Sequence, residues 1–140
     1  MPVPPAPVAR ILGPQDAPLA PLADRTVAVL GYGNQGRAHA LNLRDSGVRV
    51  VVGGRAGSAK VEAARAEGFE AMTLPEAAAR ADLAIVALPD QAQPAAWGRW
   101  IEDALPKGAV VGFVHGFAIR FGFIAPREDL GVVLVAPKGP

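Results

Sequence analysis

The chain has 140 residues, 51% of them hydrophobic, and a formal net charge of +1. That size and apolar share suit one compact domain with a packed core. The near-neutral charge without a Lys/Arg cluster argues against nucleic-acid or lipid binding, and the absence of cysteine excludes disulfides and cysteine-ligated zinc.

Residues 1 to 24 are Pro-rich and lack periodicity, so they read as an extended arm outside the domain. The Met-Pro-Val-Pro-Pro start has neither the basic residues nor the apolar core of a secretory signal. No apolar run reaches the ~20 residues of a membrane helix. A soluble cytoplasmic protein with no membrane partner is expected. Residues 25 to 140 read as the folded domain.

Thr26 to Leu30 is a short apolar run ending at glycine, as in a buried parallel strand. Gln35 to Asp45 reads as a helix stopped by Ser46-Gly47, and Val48 to Val52 as a second strand. Ala59 to Glu67 is helical. Thr73-Leu-Pro-Glu76 has the spacing of a capping box and opens a helix to about Ala81. Leu83 to Leu88 is a strand and Pro94 to Ala104 a helix, and Ala109 to Phe113 and Val132 to Val135 are further strands. Strands alternating with helices imply βαβ units. The expected fold is α/β: a three-layer, Rossmann-type, doubly wound and mostly parallel sheet in one domain.

Gly31-Tyr32-Gly33-Asn34-Gln35-Gly36 is a G-x-G-x-x-G between a strand and a helix, the context a dinucleotide cradle requires. Gly31 permits the turn, Gly33 lets backbone approach a pyrophosphate, and Gly36 lets helix pack on strand. The second strand indicates which dinucleotide. NAD sites place an acid about 20 residues into the motif. The whole stretch from Ser46 to Val61 has no acid and offers Arg55, Ser58 and Lys60 instead, which suit a 2′-phosphate and hence NADP(H). The bland alternative is a solvated basic loop.

At the C-terminal ends of later strands lie Asp90, Gln91 and Gln93, then His115, then Lys138. The first three suit ribose or nicotinamide, although Asp90 could equally cap the next helix. His115 could serve a substrate oxygen or sit as a structural histidine, and Lys138 is either a crevice cation or a solvated terminal lysine. Phe113, Phe117, Phe121 and Phe123, with Ile119 and Ile124, cannot all enter the core from one loop. A homodimer or a complex with a separate partner chain through Ile119 to Ile124 is therefore expected, unless this segment folds back on its own sheet.

Five stretches together resemble the ketol-acid reductoisomerase family: Gly31 to Gly47, Gly54 to Ser58, Leu88 to Gln93, His115 to Gly122 and Val135 to Pro140. The resemblance covers about residue 16 to the end. It implies that Tyr32 to Gln35, Arg55, Ser58 and Asp90 to Gln93 contact NADP(H). It also implies that His115 is the family's active-site histidine and that Lys138 lies near substrate. Lys60 replaces a customary hydroxyl residue, and Arg120 replaces a histidine found in many members. The family isomerises 2-acetolactate and reduces the product with NADPH in valine and isoleucine synthesis. Its two Mg²⁺ ions are held by a C-terminal helical domain, so Mg²⁺ belongs to the full-length enzymes, and no metal ligand is expected in this chain. The expected function is the NADP(H)-binding domain of such an enzyme, catalytically incomplete alone. The alternatives are another NADP-dependent dehydrogenase and a non-enzymatic NADP(H)-binding module that acts with a partner.

Overall fold

The computed structural model describes residues 12–136. Six strands form one sheet of order β3-β2-β1-β4-β5-β6, and every pairing is parallel. The strands are β1 (Thr26–Leu30), β2 (Arg49–Gly54), β3 (Glu70–Thr73), β4 (Leu83–Val86), β5 (Val110–Phe113) and β6 (Gly131–Leu134). The helices are α1 (Asn34–Asp45), α2 (Ala59–Ala66), α3 (Leu74–Ala79), α4 (Gln93–Ala96), which runs on as a π-helical turn Trp97–Ile101, and α5 (Phe117–Arg120). The strand order reverses between β1 and β4, and ligands of doubly wound sheets bind at the carboxyl ends of the strands at such a switch point.

Side-chain alternation along each strand feeds two cores. Val29 and Val52 face α1 and α2, where they pack with Tyr32, Ala40, Val61, Ala64 and Phe69. Ala28, Leu30, Val86, Val111 and Phe113 face the other helices and meet Leu74, Ala77, Trp97 and Ile101. β1 is buried along its whole length, as expected of the central strand. β6, at the edge, exposes Val132, Val133 and Leu134. In the N-terminal arm, the described part makes short 3₁₀ turns at Pro14–Asp16 and Ala20–Leu22, with Leu12 and Leu19 exposed.

β3 is absent from the sequence expectation. Glu-Ala-Met-Thr has no β-branched run, and Thr73 belongs at once to β3 and to the start of α3. There Glu76 reaches back: its Oε2 accepts from the Thr73 N–H at 2.9 Å and from the Thr73 hydroxyl at 2.5 Å. α5 also replaces part of an expected loop.

The loop before β6 is held by charge. Arg127 donates from Nε to Asp129 Oδ1 at 2.9 Å, and it also donates to the carbonyl oxygens of Glu102 and Leu105. Asp129 Oδ2 accepts from the Gly108 N–H at 3.1 Å. Arg127, followed by the Gly108 amide, holds the Asp129 carboxyl well below the ordinary aspartate range. A depressed folded value stabilises the fold above the unfolded value of about 3.9. That contribution is lost as pH falls from there through the folded value. Asp129→Asn should therefore lower the melting temperature at pH 7 and narrow the gap between wild type and variant at pH 2–3. A gap that is the same at both pH values would refute this.

Candidate functional site: the carboxyl edge of the sheet

The turn from β1 to α1 is made of glycines with distinct jobs. Gly31 has φ +103, and a Cβ there would lie 2.8 Å from the Ala87 carbonyl oxygen. At Gly36 a Cβ would fall 2.0 Å from the Gly31 carbonyl oxygen, so helix and loop touch through bare backbone. Gly33 is different: its backbone is extended, and the nearest atom to a Cβ would be Lys60 Nζ at 3.5 Å. The surface over Gly33 is open, with an ammonium group at its rim. α1 has no side-chain N-cap, and Asn34 and Gln35 in its first turn are exposed. Its leading N–H groups thus remain available to an anion.

Tyr32 is carried on this turn. Its side chain does not enter the crevice but lies 5% exposed beneath the loop, edge-on to Phe69 at 5.9 Å. Its hydroxyl donates to Glu67 Oε2 at 2.5 Å, and Arg37 donates to the same carboxylate. Burial, then the Glu67 carboxylate, push the Tyr32 hydroxyl up to about 12. Glu67 therefore ties the glycine turn to the end of α2. Nothing in its local sequence marks that role.

Arg55 and Lys60 are exposed at the carboxyl end of β2 and the start of α2, and no ion pair engages either among the described residues. Ser58 is the N-cap of α2, where its Oγ accepts from the Val61 N–H at 3.3 Å. Its hydroxyl hydrogen stays free to donate. The loop is a cationic mouth without a carboxylate, and it lies one strand away from the glycine turn, because Leu30 is in register with Gly53.

On the other side of β1, the turns after β4 and β5 meet. His115 Nδ1 lies 2.7 Å from Asp90 Oδ2. An ionised carboxylate only accepts, so Nδ1–H donates and Nε2 is the ring nitrogen left for another partner. Asp90 thus serves His115, and the N-cap of α4 is Ala92. Gln91 is exposed on this turn. Gln93 is 1% exposed, and its Nε2 donates to the Leu88 carbonyl at 2.8 Å. It braces the Leu88–Asp90 turn from below, while its Oε1 is buried without a partner among the described residues. Lys138 falls outside the described residues. His39 lies part-buried on α1, away from these turns in the chain.

These groups fit a dinucleotide phosphate: a cradle that a Cβ would fill at Gly33, a free helix N-terminus, and cations without counter-charges. A metal has no comparable donor set. No group of three or more His, Cys, Asp or Glu able to hold an ion occurs among the described residues.

Residues 21–140 match the family model for the NADPH-binding domain of acetohydroxy acid isomeroreductase. The chain belongs to this family. The isomeroreductase relatives include the ketol-acid reductoisomerases (NADP(+)) of Methanopyrus kandleri, 49% identical over 133 residues, and Pyrobaculum neutrophilum, 50% identical over 133 residues. Each alignment covers 95% of this chain and 41% of the relative, so the chain spans about two fifths of the length of these isomeroreductases. A solved structure, described as an NADH-preferring ketol-acid reductoisomerase from an uncultured archean, superposes with a TM-score of 0.89 at 41% identity. It is covered over 41% of its length, and 94% of this chain is matched. The α/β fold and the NADP(H) cofactor expected from the sequence are thus those of an isomeroreductase domain. Among the described residues no helix is long and apolar enough to cross a membrane.

Proposed function

We propose that this domain presents NADPH to the reduction half of ketol-acid reductoisomerisation. The pyrophosphate rests on Gly33 and the start of α1, the 2′-phosphate on Arg55, Ser58 and Lys60, and the nicotinamide end points toward Asp90, Gln91 and His115. The observation that carries this reading is the opposed placement of the two halves. Unpaired cations lie on the β2 side of the switch point, and the Asp90–His115 pair lies on the β4–β5 side. A dinucleotide laid across the strand ends meets both.

When bound, NADPH supplies the hydride. This chain's residues orient and hold protons. Asp90 fixes the imidazole through Nδ1, and Nε2 is then placed to accept from or donate to a substrate oxygen. Lys138 is proposed as a second cation near that oxygen. Titration calorimetry with NADPH and NADH tests the cofactor assignment, and the absence of binding heat from either would remove it. The substrate is proposed to be 2-acetolactate, in a cytoplasmic setting. A polypeptide of these 140 residues is expected to give no Mg²⁺-dependent turnover of it, because alkyl migration requires a Lewis acid and the described residues bring no three His, Cys, Asp or Glu together to hold one. Clear turnover by the pure polypeptide would refute that.

The structure also leaves an apolar face beside α5. Phe117 stacks on Phe123 at 5.6 Å and meets Phe121 at 5.0 Å, yet Phe121 is 64% exposed and Phe123 57%. Phe117 and Phe121, with Leu134, line a cavity of about 660 Å³. We propose that another polypeptide surface covers it, either a second copy of this chain or a separate partner chain. Light scattering over a concentration series is expected to show association at high micromolar protein that Phe121→Ser reduces. A strictly monomeric wild type would overturn it.

A further inference from the structure

A smaller cavity opens at the carboxyl ends of β2 and β3. It measures about 270 Å³, and its mostly apolar walls include Arg55 and Ala56, then Thr73, Leu74 and Pro75, with Trp100 at one side. That is just under the range of about 300–1,000 Å³ for drug-sized ligands, and suits a single flat heterocycle.

Trp100 reaches this cavity because the helix after β4 is not a regular α-helix there. The Glu102 N–H donates to the Trp97 carbonyl at 3.0 Å, an i to i+5 bond. Trp97 and Ile101 keep the buried face, with Trp97 packed on Phe113 at 5.9 Å. In an α-helix Trp100, three residues on, would share much of that face. The wider turn carries it round to the flank, where the indole is 44% exposed and the Arg99 guanidinium rests over its ring at 5.1 Å.

We propose that Trp100 is an adenine platform, with the purine of NADP(H) inserted between its indole and the Leu74–Pro75 wall. The proposal rests on the NADP(H) reading above. Adenine and 2′-phosphate hang on the same ribose, so a phosphate on Arg55 puts the base within one sugar's reach. Arg55 is itself a wall of this cavity. A base offers a π-face to an aromatic ring and to a guanidinium, and neither contact requires a particular base edge.

The probe is 2′,5′-ADP, which carries adenine and the 2′-phosphate but no nicotinamide to take up tryptophan emission by energy transfer. The chain has two tryptophans, and Trp97 is only 4% exposed, so contact quenching reports Trp100. Saturating 2′,5′-ADP is expected to quench tryptophan emission and shield it from acrylamide. In Trp100→Phe the calorimetric affinity should stay within about threefold while the quench disappears. In Trp100→Ala the affinity should fall on the order of tenfold. Binding heat without a change in emission or acrylamide access overturns the proposal alone, as does wild-type affinity in Trp100→Ala. No heat from either 2′,5′-ADP or NADPH overturns the NADP(H) reading and the platform with it.

Discussion

Arg55→Ala is expected to weaken NADPH binding by about 1.5–3 kcal/mol, the loss typical of a hydrogen bond to a charged group. That is roughly a tenfold to hundredfold rise in Kd. NADH lacks the 2′-phosphate, so its affinity should change far less and the preference for NADPH should collapse. The warrant is local. Arg55 is exposed, has no carboxylate partner among the described residues, and stands beside the Ser58 cap and Lys60. The overall fold cannot set this preference, since a structure with a TM-score of 0.89 to this chain is described as NADH-preferring. Calorimetry with both cofactors decides it, and equal losses for the two would remove Arg55 from the 2′-phosphate site.

The second large effect separates two glycines of the same turn. Gly36→Ala would force a methyl to 2.0 Å from the Gly31 carbonyl oxygen, a backbone atom that cannot swing aside. The cost should be on the order of 3 kcal/mol, at the upper end of overpacking. In a domain of this size that lowers Tm by roughly 10 °C. Gly33→Ala should behave differently. Its extended backbone tolerates any residue, and its Cβ would meet only Lys60 Nζ at 3.5 Å. Stability should hold, while the methyl stands where the pyrophosphate would lie and weakens NADPH binding. Thermal melts and calorimetry on both variants check the pair. A Gly36→Ala protein that melts with wild type would mean the helix can retreat from the loop.

Most of this architecture is legible in the sequence because strong local signals agree. The apolar run of β1, the glycine spacing and the strand-helix alternation point to a βαβ unit, and the structure has one, with α1 starting directly after Gly33. What escapes the sequence is decided by tertiary contacts. β3 hides because it gains its stability from register with Val51 to Gly54 rather than from its own composition. Tyr32 and Gln93 lie within motifs that suggest ligand contact, yet each side chain turns inward to a protein partner: the half-buried Glu67 carboxylate for the Tyr32 hydroxyl, the Leu88 carbonyl for the Gln93 amide nitrogen. The π turn that moves Trp100 to the flank depends on one residue's surplus in a helix whose ends are fixed by the sheet, and no residue type announces it.

Tyr32 is the only tyrosine in the chain. Because its hydroxyl is tethered beneath the glycine turn, the ultraviolet absorption that marks phenolate formation becomes an optical gauge of that turn. Under alkali the band should emerge only near pH 12, where the folded protein still holds the tether. Should the Glu67 latch be opened, the same band would rise earlier, moving toward the value of about 10 for free tyrosine but held above it by the burial that remains. A cuvette titration can therefore register whether the cradle is closed, with no cofactor, substrate or label in the solution.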